Sequence, residues 1–327
     1  VFQWTEPVVI VSGCDDAFAF PLAVALSSAL RNLRAGQAAQ VYVLNDGITT
    51  AKRMRIERVV QAARAEAQFH WVEADMLPVR HLPTSKQYSR AMYLRLLIPD
   101  LLPQHQRAIY LDSDLIVERD LAELWDMPLG DAFCLAVENY TDPTVATALR
   151  HVVQEPKIDP NIPYLNSGVL LMNLHRWRDE QMTAQVIGVL EQYHSEFLFP
   201  DQDAISVALA GRWLKLDPRW NVQQSTLADY GPRRHMSAAD SAAFQAKVAN
   251  NPFIMHFTGT RKPWHHRYRG VTNDRFLHYV ARSGWFAPPA GALWVASRRL
   301  SHGVWKRLSQ LKQARQRTRG LQQGTPG

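Results

Sequence analysis

The chain has 327 residues, 46% of them apolar, enough for one large α/β domain or two small ones around a sizeable core. Its formal charge of +7 is unevenly placed: Arg298 to Arg319 holds eight Lys/Arg and no acid, and without them the balance is −1, which argues against a fold that binds nucleic acid as a whole. Two cysteines (Cys14, Cys134) in apolar contexts are too few for a disulfide scaffold. Residues Val1 to Ile10 lack the pattern of a secretion signal, and no apolar run reaches the ~18 residues of a membrane span, so a reducing, cytoplasmic setting is expected.

Pro7 to Ser12 reads as a buried strand, followed by a helix over Pro21 to Leu33 and a second strand at Val41 to Leu44. Thr49 to Ala67 is predicted as a long amphipathic helix capped by Thr49 or Thr50, with a strand at Gln68 to Val72 behind it. A short helix over Ser89 to Leu97 is expected to stop before Pro99. Strands are predicted at Ala108 to Leu111, Phe133 to Val137, Gly168 to Asn173 and Ile254 to Phe257, and helices at Leu174 to His194 and Asp201 to Ala210. Strands alternating with helices predict a mainly parallel sheet with helices on both faces.

Ala108-Ile-Tyr-Leu-Asp-Ser-Asp114 ends an apolar run in two carboxylates. Along an extended chain residues i and i+2 point to one side, so Asp112 and Asp114 can reach one point beyond the strand end. Two hard oxygen donors there suit Mg²⁺ or Mn²⁺, and that end of an open α/β sheet is where ligands bind. A solvated turn explains the same triplet. The first βα turn, Ser12-Gly13-Cys14-Asp15-Asp16, lacks both the dinucleotide fingerprint and the phosphate loop, which excludes a nicotinamide dehydrogenase. Asn166 could aim an amide at a polyol or belong to an ordinary Asn-Ser-Gly turn. Asp201-Gln202-Asp203 could serve a substrate or cap a helix. His256 could be a third metal ligand or a structural strand-end histidine. Gly259 permits close backbone approach, and Lys262 supplies a cation three residues later, as in a loop closing over a diphosphate.

Taken together, Tyr110-Leu-Asp-Ser-Asp114, Tyr164-Leu-Asn-Ser-Gly-Val-Leu-Leu-Met-Asn-Leu174, Pro200-Asp-Gln-Asp203 and His256-Phe-Thr-Gly-Thr-Arg-Lys-Pro-Trp-His265 resemble glycosyltransferase family 8 over roughly residues 8 to 282. This family of retaining enzymes includes bacterial lipopolysaccharide galactosyl- and glucosyltransferases and glycogenin. The resemblance implies an α/β GT-A fold, a UDP-hexose donor (glucose or galactose), Mn²⁺ or Mg²⁺, and a saccharide or lipid-linked saccharide acceptor of cell-surface glycan synthesis. It implies metal ligands Asp112, Asp114 and His256; nucleotide and diphosphate contacts from Gly13, Asp15, Phe18, Ser113, Gly259 and Lys262; and donor-sugar contacts from Arg95, Asn166, Asp201 and Gln202. Ala17 and Phe18 stand where the family often has Asn and Tyr, so a uracil-stacking ring would lack its hydroxyl. Front-face transfer is favoured over a covalent intermediate, because an amide such as Gln202 is a poor nucleophile.

The expected organisation is a transferase domain over residues 1–284 and a basic amphipathic tail over 285–327, frayed at Gln322 to Gly327. Leu300, Val304, Leu308 and Leu311 fall on one helical face among Arg298, Arg299, Lys306, Arg307 and Lys312. Such a helix, with Trp294 and Trp305, reads either as a membrane-surface anchor over 294–319 on the inner leaflet or as a helix packed on the body. The competing function is a non-catalytic basic protein that binds nucleic acid or anionic surfaces through this tail; it leaves the four motifs unexplained, and no nucleic-acid partner is expected.

Overall fold

The computed structural model describes residues 6–84, 89–140, 142–149, 159–227, 237–265, 268, 270 and 272–300. The first half alternates strand and helix as expected: β1 (Val8–Asp15), α1 (Ala19–Asn32), β2 (Ala39–Asp46), α2 (Thr50–Ala63) and β3 (Gln68–Glu73). β1 is buried along nearly its whole length, as its unbroken apolar run requires of a strand covered on both faces. α2 ends at Ala63, short of the expected Ala67. There Arg64 leaves the helix and turns its guanidinium onto the carbonyls of Leu30, Leu33 and Arg34, at and just beyond the end of α1.

A 3₁₀ turn at Arg90–Tyr93 leads into α3 (Leu94–Leu101), which carries Pro99 inside it. The proline therefore does not stop this helix. It removes one hydrogen bond, to the Arg95 carbonyl, from a segment whose residues Leu94 to Pro99 are all buried. Then come β4 (Arg107–Leu111), β5 (Leu115–Val117), α4 (Leu121–Trp125), β6 (Cys134–Glu138), α5 (Val145–Ala148) and β7 (Leu165–Asn173). β7 starts three residues earlier than expected, so Asn166-Ser167-Gly168 belongs to the strand and not to a turn before it. The helix expected over 174–194 is two, α6 (Leu174–Asp179) and α7 (Met182–Tyr193), broken where Gln181 adopts a left-handed conformation (φ 49°). α8 (Pro200–Leu209), β8 (Leu214–Lys215), β9 (Val222–Gln223), α9 (Gln224–Leu227), α10 (Ala238–Asn250), β10 (Ile254–His256) and α11 (Asn273–Ser283) follow, and residues 290–300 are helical.

Among the described residues the main sheet has seven strands in the order β3-β2-β1-β4-β7-β6-β8, parallel throughout except for β7, which runs against both its neighbours. The chain steps outward from β1 to β3 and then returns to lay β4 on the other side of β1. That reversal opens a crevice beyond the C-terminal ends of β1 and β4, where ligands of such sheets bind. A second sheet, β5-β10-β9, stands beside it, with β10 antiparallel to β5 and parallel to β9. Cys14 and Cys134 are buried as free thiols in β1 and β6.

The segment after α11 packs on the body. Trp285 and Val295 are buried, and Phe20 of α1 meets Trp285, Phe286 and Trp294 at ring separations of 5.3–5.7 Å. Leu293 and Leu300 are exposed. Residues 301–327, most of the expected tail, lie outside the described residues. Among those described, no helix is long and apolar enough to cross a membrane.

Candidate active site

Two backbone hydrogen bonds gather the strand ends. The Asp112 amide donates to the Gly168 carbonyl at 2.8 Å, tying β4 to β7, and the Phe257 amide donates to the Asp114 carbonyl at 2.9 Å, tying the start of β5 to the end of β10. In the β5–β10 ladder His256 faces Leu115. His256 Nε2 therefore lies 3.1 Å from Asp114 Oδ1 and 3.4 Å from Asp112 Oδ2. The carboxylates and the imidazole can each place a ligand atom within 4.8 Å of the others. Neighbouring ligands of an octahedral ion bound at 2.0–2.2 Å lie about 3 Å apart, so this donor set fits Mn²⁺ or Mg²⁺. Gly168 makes the approach feasible: a Cβ there would come within 2.2 Å of His256 Cε1 and 2.7 Å of Asp112 Oδ2.

Cations already compensate these carboxylates. Lys262, turned back from the loop after β10, pairs with Asp114 and donates to the Phe257 carbonyl at 2.6 Å. Burial alone would raise the Asp114 carboxyl, but Lys262 and then His256 hold it well below the usual carboxylate range. The loop can reverse because Gly259 takes a left-handed φ of 80°. It is pinned where Gln224 Nε2 donates to the Arg261 carbonyl at 2.9 Å.

Arg95, buried on α3, links the acids of the two motifs. It donates to Asp112 Oδ1 at 2.7 Å, pairs with Asp201 Oδ2 at 3.0 Å, and gives two bonds of 2.8 Å to the carbonyl and hydroxyl of Ser167. Burial opposes its charge, yet Asp112 and Asp201 outweigh that and raise its pKa. Asp201 remains above the ordinary carboxylate value, because its own burial outweighs Arg95 and the nearby Asp112 charge adds to the penalty.

The Asp201-Gln202-Asp203 triplet divides its work. Asp201 turns to Arg95. Gln202 Oε1 accepts from Asn166 Nδ2 at 2.9 Å and from the Ser167 amide at 3.2 Å, while its Nε2 donates to the Tyr164 hydroxyl at 2.8 Å. Asp203 accepts from Tyr164 and from the amides of Leu198 and Phe199. Capping thus explains Asp203 and part of Asp201, whose carboxylate also takes the amides of Asp201 and Gln202, but not Gln202. A register shift places this corner: Ala136 of β6 faces Leu170, but Val137 faces Asn166, so Ser167 to Val169 bulge from that ladder and carry Asn166 toward α8.

Gly13, Asp15 and Phe18 lie at the end of β1 and the turn after it. A Cβ on Gly13 would meet Leu94 at 3.0 Å, so this glycine admits α3. Asp15 Oδ1 caps the turn, accepting from the amides of Ala17 and Phe18. The Phe18 ring is edge-on to Trp264 at 5.9 Å. Ser113 is half-buried between the two acids. The buried polar residues Tyr164, Asp203 and Asn221 also join the cluster, without having been singled out as site residues. The first two stand inside quoted motifs, but Asn221 carries no local signal at all, being set by the 3₁₀ turn Pro218–Asn221.

The family model described as Glycosyl transferase family 8 matches residues 9–267. General stress protein A of Bacillus subtilis (strain 168) is 28% identical over 285 residues, spanning 86% of this chain and 95% of its own length. The lipopolysaccharide 1,2-glucosyltransferase of Escherichia coli (strain K12) is 25% identical over 264 residues, 80% of this chain and 74% of its own. Galactosyltransferase LgtC, solved in complex with donor and acceptor sugar analogs, matches with a TM-score of 0.68 at 23% identity, over 88% of this chain and 100% of LgtC. The apo bifunctional glycosyltransferase WbbM gives 0.74 at 21%, over 90% of this chain and 52% of WbbM. At such identities the solved structures establish the fold alone.

Proposed function

Because the chain belongs to glycosyltransferase family 8 and has the GT-A fold, we propose that it transfers a hexose, glucose or galactose, with retention from a UDP-sugar to a saccharide or lipid-linked saccharide of the cell surface, using Mn²⁺. The observation that carries this reading is the continuous chain of close polar contacts from Lys262 through Asp114, His256, Asp112 and Arg95 to Asp201. This chain of contacts supports metal binding by Asp112, Asp114 and His256 beside residues suited to a polyol. The lipopolysaccharide glucosyltransferase among the relatives supports the donor class and the acceptor class.

Asp112, Asp114 and His256 would hold the ion, which when bound supplies Lewis acidity to the diphosphate leaving group. Lys262 adds a positive charge to that group as it departs. Arg95 counters the burial that raises the Asp201 carboxyl and would hold it beside the sugar, and the Asn166 amide would hold the sugar in register with the leaving group. Front-face transfer is supported by the state of the two alternatives: Gln202 has both ends of its amide engaged, and Asp201 is locked to Arg95. Neither is a free nucleophile on the opposite face.

The tail reading extends to residues 294–319. Trp294 and Val295 pack on the body and Arg298 is buried against the Trp264 carbonyl, whereas Leu300 is exposed; the sequence beyond it carries six more Lys/Arg. These support docking on an anionic membrane near a lipid-linked acceptor, with each Lys/Arg at the surface worth about 1 kcal/mol.

The decisive test is UDP release from a panel of UDP-sugars, with Mn²⁺ and with chelator, since slow donor hydrolysis needs no known acceptor. Metal-dependent turnover of UDP-glucose or UDP-galactose is expected. Turnover of none of the panel, or equal turnover in chelator, would count against the proposal.

A further inference from the structure

A file of buried side chains joins the ion-facing imidazole to a carboxylate on the far side of the sugar residues. His256 Nδ1 is 2.9 Å from Asn221 Oδ1. Asn221 Nδ2 donates to Asn166 Oδ1 at 2.7 Å, Asn166 Nδ2 to Gln202 Oε1 at 2.9 Å, and Gln202 Nε2 to the Tyr164 hydroxyl at 2.8 Å. The Tyr164 hydroxyl donates to Asp203. The four links from Asn221 to Asp203 all point the same way.

A primary amide has one donor end and one acceptor end, so no amide in the file can turn over without breaking both of its links. Two backbone amides fix the direction from inside the file: the Ser167 N–H donates to Gln202 Oε1 and the Gly168 N–H to Asn166 Oδ1, so the Nδ2 and Nε2 ends must face onward. That forces Tyr164 to donate to Asp203 and to accept from Gln202. The constraint passes back through Asn166 to Asn221, whose oxygen is then left to receive the proton on His256 Nδ1. The opposite ring nitrogen, Nε2, is the one that faces Asp112 and Asp114. A metal-ligating imidazole needs this arrangement, with one nitrogen donating to a fixed acceptor and the other offering its lone pair. His256, Asn221, Asn166, Gln202, Tyr164 and Asp203 are all under 8% exposed, so water cannot replace a missing partner without rearrangement.

Building on the site reading above, we propose that Asn221, Tyr164 and Asp203 are positioning residues of a one-way hydrogen-bond relay that presents His256 Nε2 to the metal and holds the Asn166 and Gln202 amides toward the donor sugar. Asn221 ties the two halves of the site without touching ion or substrate, and Tyr164 and Asp203 anchor its far end.

Three variants separate this from a role in stability alone. Asn221→Ala cuts both links, so Mn²⁺ affinity should fall about 10–100-fold, as when the outer partner of a metal-bound histidine is lost. Asn221→Asp keeps an acceptor for His256 but sets an oxygen against Asn166 Oδ1, so Mn²⁺ affinity should stay close to wild type while kcat for the donor falls about 100-fold. Tyr164→Phe cuts the file beyond Gln202 and should lower kcat with Mn²⁺ affinity retained. Mn²⁺ binding is read by the electron paramagnetic resonance of free Mn²⁺, kcat by UDP release, and folding by melting temperature. Wild-type Mn²⁺ affinity in Asn221→Ala, wild-type kcat in Asn221→Asp or Tyr164→Phe, or a lowered melting temperature as the sole effect of all three would overturn the relay. If Asn221→Ala does not fold, the other two decide. Wild-type protein that binds Mn²⁺ but turns over no UDP-sugar defeats the donor assignment and leaves the metal arm of the test standing. Wild-type turnover matched by all three variants defeats the relay alone.

Discussion

Asp114 touches more of the proposed chemistry than any other single side chain, facing His256 on one oxygen and Lys262 on the other. Asp114→Asn keeps the shape and removes the charge, so donor turnover is expected to drop about 10³-fold, the scale of several kcal/mol of lost charge stabilisation, while circular dichroism stays unchanged. Undiminished activity in that variant would rule out the metal trio. Gly168→Ala tests the cradle from the other side. Its methyl must push His256 aside, costing about 1–3 kcal/mol as overpacking does and weakening Mn²⁺ binding, which titration of the metal would show. Asp203 gives a pH signature. Burial, against the Tyr164 hydrogen bond, pushes its carboxyl up from 3.8 to about 7. It therefore binds its proton more tightly in the folded chain, and its contribution to stability is complete below about pH 4 and lost as pH rises through about 7. The unfolding free energy of wild type relative to Asp203→Asn should decline over that window. A difference that stays constant from pH 4 to 7.5 would show that Asp203 is not the group responsible.

At the scale of elements, the site depends on short pieces with little local signal. β5 is only Leu115–Val117 and β10 only Ile254–His256, yet their antiparallel register brings His256 across 142 residues of sequence to Asp114. The bulge in β7 does the same for Asn166 and α8. Pattern reading found β10, as Ile254 to Phe257, but missed β5, because three residues carry no periodicity. It also fused α6 and α7, since the left-handed turn at Gln181 bears no glycine to announce it. α8 ends in a similar way, with Ala210 at its C-cap at φ 48°. Ala210→Gly relieves the steric cost of that conformation at some expense in chain entropy. A net gain of about 0.5–1 kcal/mol is expected in denaturant unfolding, without change in donor turnover. A loss of stability would mean that the strain estimate at this cap is wrong.

For the whole molecule, the C-terminal segment has two parts with different expected effects. A chain ending at Pro289 loses Trp294 and Val295 from their apolar seat near Phe20 and Phe286, which should cost about 2–4 kcal/mol of stability. A chain ending at Leu300 keeps that seat and should melt near the full-length temperature. On anionic vesicles at low salt, the full chain should co-sediment and the chain ending at Leu300 should not, because it lacks six of the eight Lys/Arg between Arg298 and Arg319. Equal binding by the two, or binding by neither, would remove the membrane reading.

The sequence by itself determined the alternating architecture, the strand that delivers Asp112 and Asp114, and the family, because these rest on local periodicity and on contiguous motifs. Arg95, Asn166, Asp201, Gln202, His256 and Lys262, all named from the sequence, lie in one cluster of polar contacts. Only the tertiary structure decided which partner each one takes. Asp201 reaches Arg95 and Asp203 reaches Tyr164, although both stand on one helical turn. Asn221 was invisible for the same reason: its role is set by His256 and Asn166, 35 and 55 residues away. The direction of a hydrogen bond depends on which groups lie opposite one another across strands, and that information appears only once register and burial have fixed the partners.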